Sequence, residues 1–335
     1  MSVLSANSGV SLVRLGVLAC TLGLQVGCKA CFGPPASPKE NKSDGGGDDS
    51  GGDDTATDTA EDAACAVPEQ EPNNSTEKPQ DLPMDRWACG TFDSTIDPDI
   101  FGFQTNTEDW LKLEVVAAEA GSSADVQMLV TGGDDEYTAV SQFGFMTTDP
   151  SVVFPAPAET DFTVILNEMY YGYGESYHWK MMGTVTKAPV EWDDEEIESN
   201  DLQADGTPIE SGDSLWGTVA SSSDLDWFSL EIPEGKVEVD VDVDAWMYGS
   251  PADVKISAYD PDGTWFAKSL YGDTVYDQDP HLEFTPDQSG TWGLLIREEH
   301  SKGSPMYWYV VRVTVTESES VDTSGAGETA DTAGR

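Results

Sequence analysis

The chain has 335 residues and a formal charge of -47, from 63 acidic and 16 basic side chains. Because phosphate binding depends on lysine and arginine, this balance excludes nucleic acid as a partner. Acidity of this degree keeps a protein soluble and makes cations candidate partners, although most of the acids are expected to lie on solvated surface.

The first 28 residues are predicted to be a targeting segment. Arg14 precedes an apolar run over residues 15–26, which is too short to cross a bilayer about 30 Å thick as a helix and is typical of a signal peptide. The run ends at Cys28, where a small residue followed by cysteine resembles the lipobox of bacterial lipoproteins. We therefore predict lipidation of Cys28 and attachment to the bacterial cell envelope as an outer-membrane lipoprotein, either periplasmic or surface-exposed.

Two alternatives stay open for this segment. Gln25 departs from the usual aliphatic residue before a lipidated cysteine, and Cys20 is a rival site with too little apolar sequence ahead of it. An ordinary secreted protein, cleaved near the same place, is the second alternative.

Two segments are predicted to be disordered. Residues 29–64 show no hydrophobic periodicity and are rich in Asp, Gly, Ser and Thr, so they cannot bury enough apolar area to offset the entropy of ordering. We expect an acidic tether there between anchor and folded region. Residues 318–335 have the same character and are expected to form a disordered tail.

The chain contains an internal duplication. The segment EQEPNN at 69–74 returns 127 residues later as EIESND at 196–201. A Gly-Thr pair at 90–91 and a D-x-D at 97–99 recur at the same offset, and later matches drift only to an offset of 130. So small a drift indicates a duplicated domain. The predicted boundaries are a first domain at 65–187, a connector at 188–195 and a second domain at 196–317.

Each copy is predicted to be all-β. Residues 237–244 alternate valine and acid strictly, which is typical of a strand with one buried face. Further strands are predicted at 100–104, 111–115, 126–130, 137–143, 162–167 and 177–186, and in the second copy at 227–232, 254–259, 281–284, 292–297 and 307–316. Residues 260–263 (DPDG) are predicted to form a hairpin turn. The fold class is two tandem antiparallel β-sandwiches (jelly-roll-like) after the tether.

The cysteines fit an exported chain. An oxidising compartment would allow a disulfide between Cys65 and Cys89 in the first domain. The second copy has Trp216 at the position of Cys89, so such a bridge would stabilise only the first copy.

The order of the repeated motifs resembles a known family. The pattern E-P-N-[DN], then G-T, then D-x-D-x-[FY]-x-[FL] is similar to that of the bacterial pre-peptidase C-terminal domain, which includes the collagen-binding domains of clostridial collagenases. The match is carried by residues 71–74, 90–91 and 97–103, and by 198–201, 217–218 and 224–230. The resemblance implies a β-sandwich module of a secreted protein. No peptidase precedes it in this sequence.

The acidic motif that begins each copy is a candidate calcium site. Alternate residues of an extended segment point the same way, so two glutamates and an asparagine present oxygens on one side, and Ca²⁺ takes six to eight such ligands. The resemblance implies, for the second copy, Glu196, Glu198, Asn200, Asp201, Asp224 and Asp226. For the first copy it implies Glu69, Glu71, Asn73, Asn74, Asp97 and Asp99. Asn74 replaces an acid, which predicts a weaker first site. Alternatively, the motif is only a turn whose side chains bond local backbone.

One loop separates the two copies. Tyr170, Tyr171 and Tyr173 lie in a glycine-containing loop of the first copy, and the second copy has the sequence EHSKG at 299–303 there instead. Tyrosine gives a large amphipathic contact area, so the loop is a candidate surface for binding protein or carbohydrate. The alternative is that the rings fold back over the sandwich edge or the seam between the domains.

No catalytic group is predicted. Residues 212–215 spell the GDSL motif of an esterase family, but Ser214 is followed by a strand, and the histidine of that family's D-x-x-H has no counterpart. The favoured function is therefore a non-catalytic lipoprotein that binds or scaffolds an envelope protein or polysaccharide, with Ca²⁺ as a stabilising ion. The alternatives are an accessory subunit of a secreted hydrolase or peptidase and a purely structural spacer.

Overall fold

The structure, a computed structural model, describes residues 65–142, 149–269 and 279–317. The predicted signal peptide with Cys28, the acidic tether and the C-terminal tail lie outside these residues. In the described ranges, no helix has the length and apolar character needed to cross a membrane.

The first copy folds into a sandwich of two five-stranded sheets. Its strands are β1 (Val67–Pro68), β2 (Gln80–Asp81), β3 (Ala88–Thr91), β4 (Asp99–Gln104), β5 (Asp109–Val116), β6 (Val126–Gly132), β7 (Tyr137–Ser141), β8 (Ser151–Ala156), β9 (Asp161–Glu168) and β10 (His178–Thr186). One sheet has the order β1-β3-β10-β5-β8 and the other β2-β4-β9-β6-β7. The short strands β1 and β2 pair in parallel with β3 and β4, and every other pair is antiparallel.

The second copy repeats this topology strand for strand. Its strands are β11 (Asp194–Glu195), β12 (Thr207–Ile209), β13 (Ser214–Thr218), β14 (Asp226–Ile232), β15 (Val237–Asp244), β16 (Val254–Tyr259), β17 (Trp265–Ser269), β18 (His281–Phe284), β19 (Gly290–Glu298) and β20 (Trp308–Glu317). The sheets run β11-β13-β20-β15-β18 and β12-β14-β19-β16-β17. The prediction of two tandem all-β sandwiches is confirmed.

The alternating strand β15 shows how the sequence builds the core. Its four valines, Val237, Val239, Val241 and Val243, are at most 1% exposed and face the opposite sheet. Each buried valine contributes about 1.5–3 kcal/mol relative to an exposed one. The acids between the valines are exposed, but Asp244 at the end of the strand is buried, where Arg312 Nη1 contacts Asp244 Oδ2.

The predicted hairpin turn joins β16 to β17. Asp260 N donates to Thr264 O at 2.9 Å, and Gly263 N donates to Asp260 O at 2.9 Å. Gly263 has φ of 77°, a conformation that glycine adopts without strain. The hairpin prediction is confirmed, since β16 and β17 pair as antiparallel neighbours.

The sequence prediction omitted β8 and gave no bounds for β17, the strand that follows the predicted hairpin turn. The β8 sequence SVVFPA lacks alternation and contains Pro155, which cannot donate to a ladder. The structure places β8 at a sheet edge, where that missing donor is tolerated. In addition, Asp194 and Glu195 of the predicted connector form β11, which pairs with β13 of the second sandwich.

Residues of the second sandwich, from two loops and from the start of β20, contact the edge strands of the first. Trp308 Nε1 donates to Val153 O on β8 at 2.7 Å, and Val153 N donates to Gly249 O at 2.7 Å. On β7, Thr138 O accepts a hydrogen bond of 2.7 Å from Ser304 Oγ. Edge strands present unpaired backbone groups, and these contacts satisfy several of them.

A tryptophan cluster lies beside these contacts. Trp110 of β5 packs edge-on against Trp308, with ring centroids 5.1 Å apart, and meets Trp192 of the connector at 6.1 Å. Trp192 in turn stacks on Trp216 at 5.9 Å. Connector and both sandwiches therefore share one aromatic cluster, and Trp216 contributes to it at the position that Cys89 occupies in the first copy.

Candidate metal centre in each sandwich

The acidic motif and the D-x-D meet at one end of the second sandwich. Glu196 and Glu198 follow β11, and Asp226 begins β14. Carboxylate oxygens of these three residues lie within 4.8 Å of one another. Asn200 is fully buried beside them, and its Nδ2 lies 3.3 Å from Glu196 Oε2. Residues from two sheets thus form one cluster of hard oxygen atoms.

Tyr309 on the last strand completes this cluster. Its hydroxyl oxygen lies 2.7 Å from Asp226 Oδ2 and 2.9 Å from Glu196 Oε2. One hydroxyl proton can serve only one carboxylate at a time, so the second contact requires a proton on the carboxyl side. Burial and the charge of Glu196 raise the pKa of Asp226 to about 10, and burial raises the pKa of Glu196 to about 7. Without a cation, this site retains protons.

The first sandwich has the same arrangement with a different aromatic donor. Oxygens of Glu69, Glu71 and Asp99 lie within 4.8 Å of one another. Asn73 Nδ2 donates to Glu69 Oε1 at 2.9 Å. In the place of Tyr309 stands Trp179, whose Nε1 donates to Asp99 Oδ2 at 2.7 Å. Burial, with Glu69 alongside, raises the pKa of Asp99 to about 10.

The repeated Gly-Thr pair makes room for the glutamate and binds it. Thr91 N donates to Glu69 Oε2 at 3.1 Å, and Thr218 N donates to Glu196 Oε1 at 2.7 Å. A Cβ at Gly90 would overlap the Glu69 carboxylate, and one at Gly217 would lie 2.8 Å from Glu196 Cδ. Only glycine permits this close approach. The pair therefore belongs to the site.

The two sites differ in charge at one position. In the first copy, Asn74 Nδ2 donates to Asp97 Oδ1 at 2.8 Å, which stabilises that carboxylate. In the second copy Asp201 stands there, and its charge, after desolvation, contributes to the raised pKa of Asp224 and of Glu198. Asp97, Asp201 and Asp224 lie outside the groups whose oxygens are within 4.8 Å of one another. They border the cluster and add negative charge to it.

The residues fit a calcium ion. Among the residues that the structure describes, four buried side-chain oxygens of these two sites have no hydrogen-bond partner: Asn73 Oδ1, Asp99 Oδ1, Asn200 Oδ1 and Asp226 Oδ1. Buried polar atoms are almost always satisfied, so the unpaired oxygens at equivalent places in both copies are available to coordinate a cation. The donor set consists of carboxylate and amide oxygens without sulfur or imidazole, which suits a hard cation such as Ca²⁺.

Sequence reasoning missed the aromatic and glycine-threonine members of the site. Trp179 and Tyr309 lie 80 and 83 residues from the aspartates they contact, on the last strand of each copy. The sequence does show that Trp179 and Tyr309 occupy equivalent positions, since each follows a matched tyrosine, Tyr177 or Tyr307, by two residues. Their contact with the aspartates depends on the sheet order, which the sequence did not define.

The cysteines predicted to pair are joined in the first copy. Cys65 and Cys89 form a disulfide with Cα atoms 5.7 Å apart. Glu69 N donates to Cys89 O at 2.8 Å. The bridge thus ties the segment that carries Glu69 to the strand that carries Gly90 and Thr91.

The three tyrosines lie exposed in a well-braced loop. Tyr170, Tyr171 and Tyr173 are 74%, 68% and 55% exposed. Glu168 Oε2 accepts hydrogen bonds from the backbone N–H of Tyr170 and of Gly172, at 2.9 and 2.5 Å. The rings therefore face solvent from a fixed backbone and do not fold back over the sandwich.

The equivalent loop of the second copy has the same brace. Glu298 Oε2 accepts from His300 N and Lys302 N, both at 2.7 Å. Ser301, at the position of Tyr171, has a positive φ of 54°, close to the 63° of Tyr171. The two loops share a frame and differ in the side chains they present.

The serine of the GDSL motif donates a hydrogen bond from its hydroxyl group to a backbone carbonyl. Ser214 is buried on β13, where its Oγ lies 3.4 Å from Glu191 O. Histidine contacts lie elsewhere: His281 Nε2 is 2.8 Å from Asp240 Oδ1, and His300 Nε2 is 3.1 Å from Asp253 Oδ2.

A third group of potential ligands lies on the outer face of the second sandwich. Asp240, His281 and Glu283 bring one ligand atom each within 4.8 Å of the others. The group has no counterpart in the sequence predictions. Both acids are exposed to solvent.

Among the comparisons with known proteins, only the one with solved structures found matches. No family model matches the chain, and no curated protein matches it in sequence. The pre-peptidase C-terminal domain of a collagenase from Bacillus anthracis is 12% identical, with a TM-score of 0.26, and covers 32% of this chain and 92% of its own.

Two tandem binding modules are also similar. The tandem CBM51 modules of a family 98 glycoside hydrolase from Streptococcus pneumoniae are 12% identical, with a TM-score of 0.23, over 70% of this chain and 85% of theirs. The CBM22 tandem of a Paenibacillus barcinonensis protein is 10% identical, with a TM-score of 0.22, over 69% and 86%.

Proposed function

We propose that the chain is a non-catalytic binding protein of the bacterial cell envelope. A lipid on Cys28 holds it at the membrane, and the acidic tether separates the anchor from two sandwiches. The braced tyrosine loop of the first sandwich contacts an envelope protein or polysaccharide. The observation that carries this proposal is the exposure of three tyrosine rings on a fixed backbone, because a rigid aromatic surface binds at low entropic cost.

Calcium has a structural role in this proposal. Glu196, Glu198, Asn200 and Asp226 would hold it in the second copy, with Asp201 and Asp224 adding charge. Glu69, Glu71, Asn73 and Asp99 would hold it in the first, with Asp97 beside them. Bound Ca²⁺ would supply positive charge to buried oxygens that otherwise stay protonated or unpaired. The site then fixes the first segment of each sandwich to its D-x-D strand.

The test is capture from envelope extracts by the immobilised full chain. Replacing Tyr170, Tyr171 and Tyr173 by alanine should reduce capture at least tenfold, because the contact surface is lost. A chain carrying His300→Ala and Ser301→Ala at the equivalent loop is the matched control and should capture normally. Equal capture by the tyrosine variant and the parent chain would remove the binding surface from the proposal and favour a spacer.

A further inference from the structure

A pocket of about 320 Å³ lies beside the tyrosine loop of the first sandwich. Its walls are the loop with Tyr171, the loop with Ile96 and Asp97, and the ends of β6 and β9. Ile96 is 81% exposed, so two loops present apolar surface at the rim. Ligand pockets in proteins span about 300–1,000 Å³, which limits this one to a small unit such as one or two rings.

Two amide side chains are among the polar groups that line this pocket. Gln127 on β6 and Asn167 on β9 are direct cross-strand partners on the outer face of the sheet. Neither side chain hydrogen-bonds to another residue in the part of the chain that the structure describes. Each amide carries both a donor and an acceptor, so the pair offers the matched groups that neighbouring hydroxyls of one ligand require.

The charges around the pocket disfavour an anionic ligand. Asp97 and Glu168 line it, and none of the other described residues in its walls is a lysine, arginine or histidine. Both carboxylates are already engaged: Asp97 by Asn74 and the backbone of Asp93, and Glu168 by the backbone of the tyrosine loop. The unused groups are neutral amides and aromatic rings.

The equivalent position in the second sandwich has different side chains. Lys255 and Arg297 are the cross-strand partners that stand where the first copy has Gln127 and Asn167. Lys255 Nζ forms an ion pair with Glu299 Oε2, and Ser301 replaces the ring of Tyr171. One copy thus carries a neutral polar and aromatic surface, and the other an ionic one. The second copy is an internal control.

We propose that this pocket binds a neutral sugar residue of a polysaccharide. Gln127 and Asn167 hydrogen-bond its hydroxyl groups, and Tyr171 packs against the apolar face of its ring. This inference rests on the proposed function, because it assigns the ligand class and the site for the binding that the tyrosine loop provides. It adds two residues, Gln127 and Asn167, that the sequence did not single out.

The test is native gel electrophoresis of the full chain, in mild nonionic detergent, through gels that contain a neutral polysaccharide. A glucan, a galactan and a mannan are the probes, and polygalacturonate is the charged comparison. At least one neutral probe should retard the chain, and polygalacturonate should not. Tyr171→Ser and the pair Gln127→Leu with Asn167→Leu should each raise the apparent Kd at least tenfold. Ser301→Ala and Lys255→Gln, in the second copy, should leave it unchanged.

Failure of this inference differs from failure of the proposed function. No retardation by any neutral probe, or equal retardation of parent and pocket variants, would overturn the sugar assignment. If capture from extracts still depended on the tyrosines and was abolished by protease treatment of the extract, the ligand would be a protein. The proposed function would then stand without the sugar site. Loss of both effects would overturn both.

Discussion

The hydroxyl oxygen of Tyr309 lies 2.7 Å from Asp226 Oδ2 inside the second sandwich. In the first sandwich, the indole nitrogen of Trp179 meets Asp99 at the same distance. In both copies, an aromatic side chain on the last strand thus donates a hydrogen bond to the buried second aspartate of the D-x-D motif. Duplication has preserved the donor function while changing the residue.

Replacing Tyr309 with phenylalanine should destabilise the metal-free protein. The ring packing is kept, but Asp226 and Glu196 lose their shared donor, and a buried polar group without a partner costs about 1–3 kcal/mol. Urea denaturation in EDTA measures the loss. Tyr259→Phe, on a ring that packs against Trp227 outside the cluster, is the control and should stay within about 0.5 kcal/mol of the parent. Equal effects of the two changes would contradict the prediction.

Calcium should raise the melting temperature. A ligand that binds only the folded state stabilises it by about 2.7 kcal/mol at one hundred times its Kd. This corresponds to roughly 5–10 °C for a folded region of this size. Calorimetry with Ca²⁺ and with EDTA tests it. Glu198→Gln should shrink the shift, and Glu238→Gln, on the exposed face of β15, should not. Identical melts under the two conditions would exclude structural calcium.

The metal-free protein should lose stability as the pH rises. The pKa values of Glu196 and Asp226 are raised from 4.5 and 3.8 to about 7 and about 10 in the folded state. Above the unfolded values, the folded state keeps protons that the unfolded chain has released, so the free energy of unfolding falls with increasing pH. Because each proton kept only by the folded state costs about 1.4 kcal/mol per pH unit, we expect a loss of several kcal/mol between about pH 5 and pH 8 in EDTA.

Calcium should abolish this dependence, because the cation replaces those protons. Denaturation curves at several pH values, with and without Ca²⁺, provide the measurement. A metal-free stability that did not fall over the same range would contradict the prediction, because it would mean that these carboxyl groups are charged in the folded state.

Removing the disulfide should weaken the first sandwich alone. Cys65 and Cys89 are separated by 24 residues, and closing a loop of that size stabilises a fold by about 3 kcal/mol. Cys89→Ser should therefore lower the melting temperature of the first sandwich. Cys31→Ser is the control for loss of a cysteine and should leave that melting temperature unchanged. We also expect weaker calcium binding by the first copy, because the bridge positions the segment of Glu69. Unchanged melting would contradict the prediction.

Local patterns predicted most of this architecture. Strict alternation in β15 and the DPDG turn each encode their structure within a few residues, and both were readable. The edge strand β8 was not predicted. Its sequence contains Pro155 and a continuous apolar run, and these fit a strand only because β8 lies at the edge of its sheet. The contacts between the second sandwich and strands β7 and β8 were not predicted either, because they depend on tertiary packing.

The candidate site was predictable in its acidic half. Repetition marked the glutamates, asparagines and aspartates, and alternation placed three of them on one side. Trp179 and Tyr309 join them only because the last strand of each copy is the central strand of its sheet, between β3 and β5 in the first copy and between β13 and β15 in the second. Gln127 and Asn167 are ordinary polar residues on an outer strand face, and only the pocket above them distinguishes them.

The covered edge of the first sandwich has a consequence for how the chain is made. Val153 and Thr138 receive their partners from Gly249 and Ser304, which are synthesised much later. At about 5–20 residues per second, the roughly 120 residues of the second copy take about 6–24 s to follow the first. For that interval the nascent first sandwich carries an open edge that could recruit foreign strands. The second copy thus blocks the addition of further strands to this edge. A chain that stopped at the connector would leave the edge open.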